Sequence, residues 1–278
     1  MGNKLLQNLH THTIYCDGKN TVEEIITQAI RLGFKSIGFS GHGYTPHTLA
    51  YCMTEENTRK YIEEVKKQRE KYKGIIEVFL GTEFDLFSCG SLSEYDYVIG
   101  SVHYYKAMDG ENYAFDIKSP EKLQSRINDW FDGDAIRFAK AYYDNVARLP
   151  DKLEKMHIVG HFDLLLKSND QFNPIDTSSK KYRLIVTDCA KYLIEKGLVF
   201  EINSGAVSRG IKKIPYPESW VLKMINDLGG KITISSDCHL VKNLNFYFEE
   251  SISLARQCGF KEIQYFNGKE FEPIKICD

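Results

Sequence analysis

The 278-residue sequence has no surplus of charge, no long apolar run and no close pair of cysteines. Lys+Arg number 36 against 38 Asp+Glu, a net charge of −2, so no basic field points to nucleic acid or to an anionic membrane surface. No stretch approaches the roughly 18 apolar residues of a membrane span, and the opening Met1-Gly2-Asn3-Lys4-Leu5 leads into no signal-type apolar core. The seven cysteines stand at 16, 52, 89, 189, 238, 258 and 277. That spacing excludes CxxC motifs, zinc ribbons and a dense disulfide framework, and reads as reduced, core-filling thiols in a cytoplasmic protein. Proline is scarce at 7 residues, and no linker, repeat or low-complexity tract divides the chain. What is present is 42% hydrophobic and 27% charged, ordinary for a folded protein. These features predict one soluble domain over residues 1–278.

Short apolar runs alternate with amphipathic segments. Strand-like runs fall at 5–9, 36–40, 75–80, 97–102, 157–160, 198–202, 231–235 and 262–266. Helical patterns fall at 54–72, 120–131, 134–149, 178–196, 217–228 and 246–258, and another begins at the capping box Thr21-Val-Glu-Glu24 and ends at Gly33. Strand–helix alternation implies right-handed βαβ units and a parallel sheet. Seven or eight units in one domain favour an α/β fold of (β/α)-barrel type over an open doubly wound sheet.

The polar residues just past each strand form the informative pattern. His10-Thr-His12 and Asp17 come after the first strand, Gly41-His42 after the second and Gly-Thr-Glu83 after the third. His103 succeeds the run at 97–102, His161-Phe-Asp163 the next, Asn203-Ser-Gly205 the one after, and Ser236-Asp237-Cys238-His239 the run at 231–235. In (β/α) barrels the C-terminal ends of the strands carry the active site. Taken singly, each residue has a structural explanation: an HxH can be a polar seam, a lone His a hydrogen-bonded loop residue, Glu83 a helix cap. Placement after successive strands is harder to explain that way. Imidazole and carboxylate ligands without thiolate suit Zn, Mn or Fe at exchangeable catalytic sites. Six histidines with Asp17, Glu83 and Asp237 exceed the needs of one ion, which points to two or three divalent metals and to phosphoester chemistry.

These residues also resemble a known family. His10-x-His12, Ser40-Gly-His42, Gly81-Thr-Glu83, Ser101-Val-His103, Gly160-His161 and Ser236-Asp237-x-His239 resemble, in order, the motifs of the PHP (polymerase and histidinol phosphatase) superfamily. Leu9-His-Thr-His-Thr13, Cys16-Asp-Gly18, Gly100-Ser-Val-His103 and Glu201-Ile-Asn203 are similar to its monofunctional histidinol-phosphatase branch. The resemblance implies a distorted, TIM-barrel-like (β/α)7 barrel, a trinuclear metal site and hydrolysis of L-histidinol phosphate in histidine biosynthesis. It implies one metal on His10, His12, Glu83 and Asp237, with Glu83 bridging to a second on His103 and His161. Asp17, His42 and His239 would hold a third. One departure stands out: the Asp expected before the second-motif histidine is Gly41.

From these assignments a metal-bridging hydroxide is expected to attack phosphorus in line, with Asp237 or His239 supplying the leaving alkoxide's proton through a metal-bound water. Arg209 is the first choice for the phosphate and Lys167 the second, because guanidinium binds phosphate bidentately. The long insertion 104–134 offers either a lid, with Asp116 facing the cationic end of histidinol, or aromatics (Tyr104, Tyr105, Tyr113, Phe115) packed on the barrel. His157 reads as a buried hydrogen-bonded histidine and His47 as a loop residue. Strand alternation turns Cys238 away from the metals. Rival readings are another PHP phosphoesterase acting on nucleotides or sugar phosphates, a C–N-cleaving metal hydrolase, and a non-catalytic metal-binding barrel.

Overall fold

The computed structural model describes residues 6–169 and 173–276; Met1 to Leu5 and Cys277 lie outside them. Seven parallel strands form the sheet: β1 (Gln7–Asn8), β2 (Ser36–Phe39), β3 (Glu77–Asp85), β4 (Tyr97–Ser101), β7 (Ile158–Val159), β8 (Val199–Asn203) and β9 (Lys231–Ser235), side by side in that order. The seam between first and last is joined by a parallel bridge, Thr11 to Cys238, through Cys238 N–H to His10 O at 3.0 Å and His12 N–H to Cys238 O at 2.8 Å. The result is the α/β barrel with seven strands.

Helices cover the outside: α1 (Val22–Arg31), α2 (Glu55–Lys71), α3 (Pro120–Phe131), α4 (Ala135–Lys152), α5 (Lys180–Glu195), the single turn α6 (Gly205–Ser208), α7 (Ser219–Asp227) and α8 (Phe248–Gln257). Their starts reflect local chemistry. Thr21 and Glu24 form the reciprocal capping box of α1, Thr54 caps α2, Ser119 precedes Pro120 at the first turn of α3, and Asp134 caps α4. No helix among the described residues is long and apolar enough to cross a membrane.

The barrel interior below the site is a compact apolar plug of Leu9, Phe79, Tyr97, Ile99, Ile158 and Phe266. Tyr97 spans it and donates its hydroxyl to Leu9 O and Phe39 O. Only glycine leaves room for that ring: a Cβ at Gly38 or Gly81 would lie 2.4 or 2.3 Å from Tyr97.

Two expectations change, and one open alternative is decided. The run 262–266 is not a barrel strand. As β10 (Glu262–Phe266) it pairs antiparallel with β11 (Phe271–Lys275) and drives Phe266 into the barrel bottom, because β1 and β9 already meet and leave no edge to join. β3 is longer than 75–80 because it changes neighbours midway, pairing with β2 up to Leu80 and with β4 from Gly81 to Asp85. Glu83 therefore lies inside a strand. The insertion is a small hairpin, β5 (Tyr104–Lys106) with β6 (Asn112–Ala114), leading into α3. Its Phe115 is fully buried on Phe138 and Tyr142, so the aromatics of Tyr105 and Phe115 pack on the barrel rather than forming a lid.

Candidate metal centre

Glu83 stands at the middle of the strand ends, 2% exposed. Its two oxygens face different groups. Oε2 lies 3.3 Å from His10 Nε2, 3.6 Å from His12 Nε2 and 2.9 Å from His42 Nδ1. Oε1 lies 2.8 Å from His161 Nε2 and 3.5 Å from His103 Nε2. Asp237 Oδ1 completes the first side at 3.3 Å from His12 Nε2 and 3.8 Å from His10 Nε2. Toward the opening, Asp17 meets His239 Nε2 at 3.1 Å, His12 Nδ1 at 3.5 Å and His42 Nε2 at 3.8 Å.

Three groups of side chains come close enough to share an ion: His10, His12 and Glu83; His42, Glu83 and His103; and His12, Asp17, His42 and His239. All nine residues expected as ligands thus converge. His161 and Asp237 fall outside these groups, but His161 faces Glu83 and Asp237 faces His12 and His10, and His12, His42 and Glu83 each stand in two of the groups.

The donor chemistry fits cations. His10 Nε2, His12 Nε2, Glu83 Oε2 and Asp17 Oδ1 are buried atoms with no hydrogen-bond partner. Buried polar atoms are otherwise nearly always satisfied. Burial opposes ionisation of Glu83, yet the imidazoles of His42, His10 and His103 hold its carboxyl well below the usual range. Asp237 is likewise lowered against burial, by Arg209 and His10. Anionic carboxylates packed this tightly call for positive charge beyond the histidines.

Two residues that sequence reasoning did not place in the site orient the histidines. Glu201, 1% exposed, accepts His10 Nδ1 at 2.9 Å and the His161 backbone N–H at 2.7 Å, and is braced by Ser235 Oγ at 2.6 Å. Asp85 accepts the His103 backbone N–H at 2.7 Å and faces its Nδ1 at 3.2 Å. A carboxylate behind the ring fixes the tautomer so that Nε2 presents its lone pair. The signal was there: an acid inside the apolar run 198–202, and an acid two residues after Glu83, on the same strand face.

Arg209 reaches Asp237 Oδ2 at 3.2 Å and lies 3.3 Å from His239 Nδ1, at the rim. Lys167 and Asp116 have paired with each other at 2.6 Å, both largely buried. His47 packs on Tyr104 and Phe87 and joins none of the ligand groups among the described residues. His157 lies away from them, accepting the Val98 N–H. Cys238 turns its thiol to Leu240 O. The core-filling expectation fails at two cysteines: Cys89 is exposed, and Cys16 lies against His12 Nδ1. Gly41 explains the latter, since the space a side chain there would enter is taken by Cys16 Sγ and Met53.

A seven-stranded parallel barrel with clustered histidines and carboxylates at its strand ends defines an α/β-barrel protein of the metal-site class. The chain belongs to the PHP domain family, whose pattern matches residues 8–205. A Schizosaccharomyces pombe protein named a probable histidinol-phosphatase is 24% identical over 279 residues, covering 91% of this chain and 87% of its own. The crystal structure of a histidinol phosphatase candidate from Listeria monocytogenes matches with a TM-score of 0.75 at 20% identity, over 88% of this chain and 99% of that one. The histidinol phosphate phosphatase of Lactococcus lactis subsp. lactis, crystallised with Zn, L-histidinol and phosphate, matches with a TM-score of 0.68 at 19% identity, over 96% and 99%.

Proposed function

We propose that this chain is a single PHP-type phosphatase domain that hydrolyses L-histidinol phosphate to L-histidinol and phosphate, using two or three divalent ions. The observation that carries the chemistry is the split environment of Glu83, one oxygen among His10, His12 and His42 and the other between His161 and His103. Such a carboxylate suits two adjacent ions, with His10, His12 and Asp237 on one side and His103 and His161 on the other. Asp17, His42 and His239 are assigned the outermost. Bound ions would supply Lewis acidity, neutralising phosphate charge and acidifying the attacking water.

The chain's own groups do the rest. Arg209 stands beside Asp237 and His239 with its guanidinium at the rim, placed to take non-metal phosphate oxygens in bidentate fashion. His239, more open than Asp237, is assigned to relay the proton for the leaving alkoxide through a water rather than to donate it directly. On the opposite side the Lys167 ammonium bonds Asp116 Oδ2, and Lys167, His103 and His161 hold that carboxyl low despite burial. Asp116 is assigned the substrate amine, with Lys167 fixing its position. Tyr51 and Tyr104 lie nearly parallel, centroids 6.5 Å apart, and their rings stand 5.7 Å from that of His42 and 6.1 Å from that of His103. They give a planar heterocycle an aromatic wall beside the ions. The names of the relatives and the ligands of the Lactococcus lactis structure support histidinol phosphate as the substrate.

The test is phosphate release by metal-replete protein from L-histidinol phosphate, alongside nucleotides and sugar phosphates, with metal content measured on the same sample. Fast, selective release with two or three ions per chain is expected. Broad, slow release would leave a phosphoesterase of another substrate, and no release at full metal occupancy would leave a binding protein.

A further inference from the structure

His12 is claimed from both sides. Its Nε2 lies among Glu83 Oε2 and Asp237 Oδ1, and its Nδ1 faces Asp17, where a second ion would need it. A neutral imidazole offers one lone pair, so the tautomer decides which ion His12 serves.

The geometry around Nδ1 favours one choice. Cys16 Sγ lies 3.5 Å from it in hydrogen-bonding arrangement, and the same sulfur lies 3.4 Å from Thr13 O. The S–H therefore has its own acceptor in Thr13 O, and sulfur turns a lone pair to the imidazole. Asp17 Oδ1 is no closer to Nδ1 and has no hydrogen-bond partner. With Nδ1 carrying the proton, the lone pair falls on Nε2, which is buried and otherwise unpartnered. The bare Gly41 makes room: a Cβ there would sit 3.2 Å from Cys16 Sγ and 3.4 Å from Met53 Cε.

We propose that Cys16 is a positioning residue, accepting the Nδ1 proton of His12 so that His12 serves the ion of His10, Glu83 and Asp237 and leaves the outermost group with Asp17, His42 and His239. The inference rests on reading the cluster as a metal centre, and it adds a sulfur that is not itself a ligand.

The experiment strips the full-length chain of metal and titrates it calorimetrically with Mn2+ and, separately, Zn2+, recording the thermal midpoint of each metal-free variant. Cys16→Ala should weaken both ions by about 10–100-fold. Cys16→Ser, which keeps an acceptor for His12 and a donor for Thr13 O, should stay within a few-fold of the parent. Should Cys16→Ala not fold, Gly41→Ala crowds the sulfur and should weaken both ions likewise; parent affinity in that variant would overturn the proposal. Unchanged affinity in Cys16→Ala would also overturn it. So would loss of Zn2+ with Mn2+ intact, the mark of a direct thiolate ligand. Equal losses in Cys16→Ser and Cys16→Ala with equally lowered midpoints would reduce Cys16 to packing. A parent chain that binds neither ion would overturn the metal reading and this proposal together.

Discussion

At the scale of single residues, Glu83 should be the least replaceable. Glu83→Ala removes the carboxylate shared by both halves of the cluster, so it should hold fewer ions per chain and lose at least about 10²–10³-fold in kcat. Full metal content with near-parent turnover would refute the bridging role. Arg209→Ala should keep its ions and raise KM for the phosphate ester, and unchanged kinetics would remove Arg209 from the phosphate site. A third test lies away from the metals. Burial, then the Lys155 charge, lowers His157 to about 4 from 6.5. Between those values the unfolded chain binds more protons than the folded one, so this residue's contribution to stability is complete at neutral pH and falls as pH drops from 6.5 toward 4. His157→Gln should remove about 1–2 kcal/mol of that pH dependence, allowing for a partly solvent-facing ring. Denaturant midpoints at pH 7.5 and 5 would show it, and identical acid losses in parent and variant would count against it.

At the scale of elements, the terminal hairpin acts as a plug. Phe266 is fully buried, with ring centroids 5.2 Å from Phe79 and 5.6 Å from Tyr97, and Gln7 brackets its backbone through both side-chain atoms, at 2.8 Å each. Phe266→Ala should cost about 3–5 kcal/mol in denaturant unfolding without changing metal content; an unchanged midpoint would show that the plug is dispensable. The sequence carried most elements legibly, since caps such as Thr21, Thr54 and Asp134 are local chemistry. It did not carry the fate of 262–266, because an apolar run reads the same in a barrel as in a hairpin; only closure between distant strands decides. The change of partner midway along β3 was hidden for the same reason. The residues of the cluster other than Glu83 could be picked out because they sit past strand ends, whereas Glu201 and Asp85 sit within strands, and Cys16 draws notice only through a contact with His12.

At the scale of the whole molecule, ion binding should contribute directly to stability. An ion held only by the folded state adds about 2.7 kcal/mol when free metal is 100 times its Kd. Chelation should therefore lower the thermal midpoint, and Mn2+ or Zn2+ should restore it; a midpoint indifferent to chelator would argue against ligands arranged as described. The seam between the first and last barrel strands gives this coupling its direction. His10 and His12 lie on one side of it and Asp237 and His239 on the other, and Asn8 bonds Ser236 across 228 positions of chain. During synthesis His10 and His12 emerge at least 225 residues ahead of Asp237 and His239. The pocket proposed to hold the ions would thus be completed by the joining of β1 to β9, and a nascent chain halted before residue 237 would have no complete cage in which to keep a metal.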